Sequence, residues 1–189
     1  MGRIILASAS PRRKELLGRI GLSCHVIHPN ANEAYKGNSP GDTVSALSLR
    51  KAKIAEGQCL PGDVIIAADT IVWIDNGILG KPQSRSEAIS MLQRLSGGWH
   101  RVYTGLTMLK DGRSRTKCEV TSVKMRSLSL YEIERYVDTG EPMDKAGGYG
   151  IQEIGSVFVE RIDGDFYNVM GLPLCLLSQM FNEIGIDVV

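Results

Sequence analysis

The chain has 189 residues, 43% of them hydrophobic and 23% charged, a composition that allows a sizeable core and excludes wholesale disorder or a fibrous architecture. Its 22 cationic and 21 acidic side chains leave a net charge of +1, which argues against general electrostatic capture of nucleic acid and makes any anion recognition local. No apolar run approaches the roughly 20 residues that span a membrane, Ile4 to Ala7 is too short for a signal sequence, and Cys24, Cys59, Cys118 and Cys175 show no zinc-ligand spacing, so the chain reads as one cytoplasmic folding unit, residues 1–189, with reduced cysteines.

Ile4 to Ala7 predicts a short buried strand, followed at once by helical spacing through Leu16, Leu17 and Ile20, with Ser10 as N-cap and Pro11 as first helical residue. Residues 23–28 read as a second strand, 29–41 as a Pro- and Gly-bearing loop, and 42–56 as a helix. The run VIIAADTIVWI predicts a buried strand interrupted by Asp69 and Thr70, and DNG at 75–77 a turn. Ser84 with Glu87, and Ser129 with Glu132, are capping-box patterns at the starts of two helices. Between them, strands near 99–109 and 117–126 flank KDGR, a hairpin signal. A glycine-rich loop, a strand at 156–162 and a helix from about Pro173 complete a mixed sheet covered by helices.

Several residues in this frame suit phosphate chemistry. SASPRRK lies at a helix N-terminus, where backbone N–H groups and the dipole attract anions, and Ser8, Arg12 and Arg13 add donors fitted to phosphate oxygens; a capped helix with solvated cations uses the same groups. Asp69 interrupts an apolar strand, which requires a partner or a cation such as Mg²⁺, unless it caps the strand end. Glu33 offers a second carboxylate, or is a solvated loop glutamate. Lys51 and Lys81 are either phosphate-binding cations or snorkelling and surface lysines. There is no P-loop, GGYG at 147–150 is not a dinucleotide fingerprint, GLPLC is not a nucleophile elbow, and His100 reads as a packing or hydrogen-bonding residue.

Taken in order, ILASASPRRKELL, Glu33, LSLRKA, AADTIV, GKP, SGGWHRVYTG, DKAGGYGIQ and GDFYNVMGLP resemble the Maf family of nucleoside triphosphate pyrophosphatases along nearly the whole chain. The resemblance implies an elongated mixed sheet flanked by helices, with two lobes and a central cleft, like inosine triphosphate pyrophosphatase. It also implies an often dimeric, divalent-metal-dependent enzyme that splits a nucleoside triphosphate between its α- and β-phosphates. Position by position it makes Ser8, Arg12 and Arg13 substrate-binding residues and Asp69, Glu33, Lys51 and Lys81 the catalytic set, with Asp69 and Glu33 toward metal or attacking water. Arg13, Thr70 and Gln152 resemble the branch that acts on dTTP and UTP, rather than the branch that acts on 7-methyl-GTP; Asn32 departs from the acidic residue that many relatives carry there. A nucleotide-binding regulator of septum formation is the alternative of a different class.

Overall fold

The computed structural model describes residues 2–31 and 37–188; Asn32 and Glu33 lie outside the described residues. In chain order the elements are β1 (Ile4–Ala7), α1 (Pro11–Arg19), β2 (His25–Ile27), α2 (Pro40–Glu56), β3 (Val64–Ile74) and β4 (Gly77–Leu79). They continue with α3 (Arg85–Leu95), β5 (Trp99–Lys110), β6 (Arg113–Met125), α4 (Leu130–Val137), β7 (Val159–Asp163), α5 (Phe166–Met170) and α6 (Leu174–Asn182). Among the described residues the strands form one mixed sheet in the order β2-β1-β3-β5-β6-β7, with β4 paired to β3. β1 runs parallel to both β2 and β3, whereas β3–β4 and β6–β7 are antiparallel.

The chain divides into two compact units. The first comprises residues up to Asp69, Thr104–Glu119 and Gly171 onward; the second comprises Thr70–Tyr103 and Val120–Met170. In the first, the β1-α1-β2 and β2-α2-β3 crossovers run in opposite directions across the sheet, and right-handed connections then set α1 and α2 on opposite faces. Helix α2 packs Ala52 and Ala55 onto Ile5, Ala7, Ile65 and Ala67. These small residues let the helix come close. At Gly105 of β5 an added Cβ would lie 2.2 Å from the Val44 carbonyl oxygen, so the helix backbone rests directly on the strand. In the second unit Val72, Ile74, Val102, Val123 and Met125 form one sheet face, buried against Ala88, Leu92 and Leu95 of α3 and Ile133, Tyr136 and Val137 of α4.

Local signals place most elements. Ser84 and Ser129 each accept from the N–H three residues on, and Ser129 with Glu132 completes a reciprocal capping box. Asp111 and Gly112, at φ of 47° and 76°, form the two-residue turn between β5 and β6, and Asp75 and Asn76 (49° and 57°) turn β3 into β4. Some boundaries differ from the sequence reading. Helix α2 begins at Pro40, because Ser39 caps it and proline suits its first turn; composition alone had assigned Pro40 and Gly41 to the loop. β2 is confined to three residues, and β7 starts at Val159 because Ile154–Phe158 coils into a 3₁₀ helix. The short β4 and α5 carry no periodicity long enough to read.

Candidate active site

β1 and β3 are parallel neighbours with Ala7 opposite Ala67, so the chain leaves β1 at Ser8 beside the segment of β3 that carries Ala68 and Asp69. The pairing ends at Ala7 and Ala67: there the chain leaves β1 for α1, while β3 runs on through Asp69 to Ile74. Ser8 anchors the junction: its N–H donates to Ile27 O (3.0 Å), and its Oγ accepts from the Ser10 N–H (3.1 Å) and from Arg13 Nη1 (3.1 Å). Arg13 is buried, and its Nε donates to Gly171 O (2.7 Å). Gly171 takes φ of 102°, a conformation that favours glycine, and so turns its carbonyl to the guanidinium. Ser10 holds the N-cap position, but its side chain makes no capping hydrogen bond. Arg12 is half-buried and Lys14 exposed.

On the face covered by α2, Lys51 Nζ meets Asp69 Oδ1 at 2.5 Å, with side chains only 11% and 10% exposed. Strand alternation puts Asp69 on the same face as Ile65 and Ala67, against which Ala52 and Ala55 of α2 pack. One turn before Lys51, the buried Ser48 hydroxyl is 2.8 Å from Thr107 Oγ1, which is 2.8 Å from Thr116 Oγ1. This hydroxyl chain and the close approach at Gly105 fix the height and rotation of α2. The apparent interruption in the β3 run is therefore a buried ion pair, and Lys51 is not a surface lysine.

Thr70, Lys81 and Gln152 belong to the second unit. Thr70 and Gln152 are half-buried and Lys81 is exposed. Gly147, at φ of 72°, donates its N–H to Gly80 O (3.0 Å), which ties the turn before Lys81 to the loop that leads to Gln152. His100 is a hydrogen-bonded interior residue: its Nε2 hydrogen-bonds Tyr149 Oη (2.7 Å), and burial pushes its pKa down to about 4. Among the described residues no three His, Cys, Asp or Glu side chains cluster as a metal site, and all four cysteines are free. Among the described residues no helix is long and apolar enough to cross a membrane.

The contributions of Gly171, Gly105 and Ser48 were not read from sequence. Arg13 and Gly171 are 158 positions apart, and a backbone carbonyl has no side-chain signature. All three lie within segments that carry the family resemblance, GDFYNVMGLP, SGGWHRVYTG and LSLRKA, without their contacts being readable there.

The profile of the Maf-like protein family matches residues 3–184. A dTTP/UTP pyrophosphatase of Symbiobacterium thermophilum is 45% identical over 186 residues, covering 98% of this chain and 95% of that protein. A protein of the same name from Bacillus pumilus is 46% identical, covering 98% of each. Among solved structures, the Ham1 protein of Staphylococcus aureus superposes with a TM-score of 0.52 at 14% identity, over 96% of this chain and 99% of its own, and a HAM1 protein from Coxiella burnetii likewise at 0.52 and 16% identity, over 97% and 100%. At these identities the last two establish a shared fold.

Proposed function

The chain belongs to the Maf-like protein family, and from that membership and the geometry around Asp69 we propose that it is a dTTP/UTP pyrophosphatase, a hydrolase of the α–β phosphoanhydride in pyrimidine nucleoside triphosphates. The observation that carries the reading is the Lys51–Asp69 pair at the carboxyl end of the parallel strands. Lys51 holds Oδ1 of the carboxylate, and Asp69 is assigned as the base toward the reacting water. As the water oxygen bonds to the α-phosphorus, its proton passes to Asp69; the bond from that phosphorus to the bridging oxygen breaks, and pyrophosphate departs with the electron pair. Lys51 and Lys81 offset the charge on the phosphates, and Arg12 with the Ser8 junction holds them. Thr70 and Gln152 serve the pyrimidine end; a hydroxyl and an amide together can match its carbonyl and N–H pattern.

A hard divalent cation, Mg²⁺ or Mn²⁺, suits carboxylate oxygen plus substrate phosphates, and Asp69 would supply such an oxygen. Glu33 is proposed as the second carboxylate. When bound, the cation supplies charge neutralisation on the phosphates and a more acidic water.

A panel of nucleoside triphosphates with pyrophosphate detection tests the proposal. Metal-dependent release should be fastest from dTTP and UTP and abolished by Asp69→Asn. Absence of release from every triphosphate rejects the enzyme reading, and preferential cleavage of 7-methyl-GTP rejects the pyrimidine assignment.

A further inference from the structure

Gln152 lies in a segment, residues 141–155, that contains no strand and is otherwise shaped by short 3₁₀ turns at Glu141–Asp144 and Ala146–Gly148. Ordering such a segment costs backbone entropy at each residue, so its position depends on tertiary ties. These ties converge on three side chains. The Glu141 carboxylate accepts from Tyr136 Oη (2.8 Å) and the Gly155 N–H (3.0 Å) at Oε1, and from the Ile154 N–H (3.0 Å) at Oε2. Tyr136 Oη in turn accepts from the Gly150 N–H (3.2 Å). Lys145, only 6% exposed, sends its ammonium to Glu141 O (2.8 Å), Asp144 Oδ1 (2.8 Å) and Glu153 Oε2 (3.0 Å).

Gln152 is thus bracketed. The residue two before it, the residue after it and the next two are all bound, directly or through one side chain, to Tyr136, Glu141 or Lys145. The flanking glycines fit this arrangement closely: a Cβ at Gly150 would lie 2.7 Å from Lys145 Cε, and one at Gly155 would lie 2.6 Å from Tyr136 Oη. Burial, and then the bond to Glu141, raise the Tyr136 pKa, so the phenol remains a donor. By contrast, the Gln152 amide makes one long contact, Nε2 to Glu153 Oε1 at 3.5 Å. Its backbone is fixed while its amide remains available to a ligand.

We propose that Tyr136, Glu141 and Lys145 form a clasp of positioning residues that sets Gln152 against the pyrimidine base and so determines base discrimination. The inference rests on the reading of Gln152 as a base-recognising residue. The clasp touches no phosphate in this account, and its loss loosens recognition rather than the chemical step.

The test compares kcat and KM for dTTP and dCTP, whose base replaces a carbonyl by an amine, in the full chain and in Tyr136→Phe, Glu141→Gln, Lys145→Met and Gln152→Ala, each checked for folding by thermal unfolding. The clasp variants should raise KM for dTTP about tenfold with kcat within about twofold, and the preference for dTTP over dCTP should fall. In a Gln152→Ala background they should lower that preference no further, because they act through Gln152. Additive losses in that background, or a fall in kcat at unchanged KM, overturn the clasp. If Gln152→Ala alone leaves the preference intact, the base-recognising reading fails and the clasp with it; if it abolishes the preference while folded Tyr136→Phe and Glu141→Gln are silent, only the clasp fails.

Discussion

The Lys51–Asp69 pair permits a separation of stability from activity. At 2.5 Å and an effective dielectric of about 20, its Coulomb attraction is roughly 7 kcal/mol. Withdrawing each ion from water costs several kcal/mol, so the intact pair contributes little net stability. Removing one partner is different, because it takes a close countercharge away from a buried ion. Asp69→Ala should therefore cost about 3–5 kcal/mol, whereas Lys51→Met/Asp69→Leu should lie within about 1 kcal/mol of the wild type or above it. With a urea m-value of about 2 kcal/mol/M, the single variant loses about 2 M in midpoint. Urea unfolding followed by far-UV circular dichroism and by fluorescence of Trp73 and Trp99 reads this directly, and coincident transitions license the two-state treatment. Both variants should lack pyrophosphatase activity. The reasoning would be refuted if Asp69→Ala moved the midpoint by less than about 0.5 M, or if the double variant were as unstable as the single.

Gly105→Ala forces a Cβ to within 2.2 Å of the Val44 carbonyl oxygen, which cannot move without lifting α2; a loss of about 3 kcal/mol or more is expected in the same unfolding assay, with reduced kcat because Lys51 rides on that helix. Arg13→Lys cannot reproduce the fork that reaches Gly171 O and Ser8 Oγ together, and should cost about 1.5–3 kcal/mol and raise KM. Acid should destabilise the fold through two carboxylates. Hydrogen bonds from Arg3 hold Asp63 well below the usual carboxylate range, and those from Arg126 hold Glu132 down to about 2. A depressed folded-state pKa adds stability above the unfolded value, near 4, that is lost as pH falls toward the folded value. The slope of stability against pH below about 4.5 should therefore shrink in Asp63→Asn and in Glu132→Gln, measured by thermal unfolding across pH.

Legibility in the sequence followed the range of the interaction. The hairpin at Asp111 and Gly112 and the caps at Ser84 and Ser129 depend on groups within three or four positions of one another, so residue type alone specifies them. The same local grammar applied at Ser39 and Pro40, where it was obscured by the density of loop-forming residues on either side. The segment around Gln152 was legible only as glycine-rich, since its shape comes from Glu141 and Tyr136 binding backbone N–H groups up to 14 positions away.

By itself, then, the sequence determined which residues had the chemistry for a polyphosphate and which short elements would carry them: a strand ending at Ser8, a helix opening on two arginines, a carboxylate set in an apolar strand. The tertiary structure decided how those groups are committed. It pairs Lys51 with Asp69 across 18 positions, draws Arg13 inward to Gly171, and lowers the His100 pKa by burial. Propensity and capping act along the chain, where neighbours are known from the order of residues. Charge pairing and desolvation act through space, and only packing determines which groups share an interior.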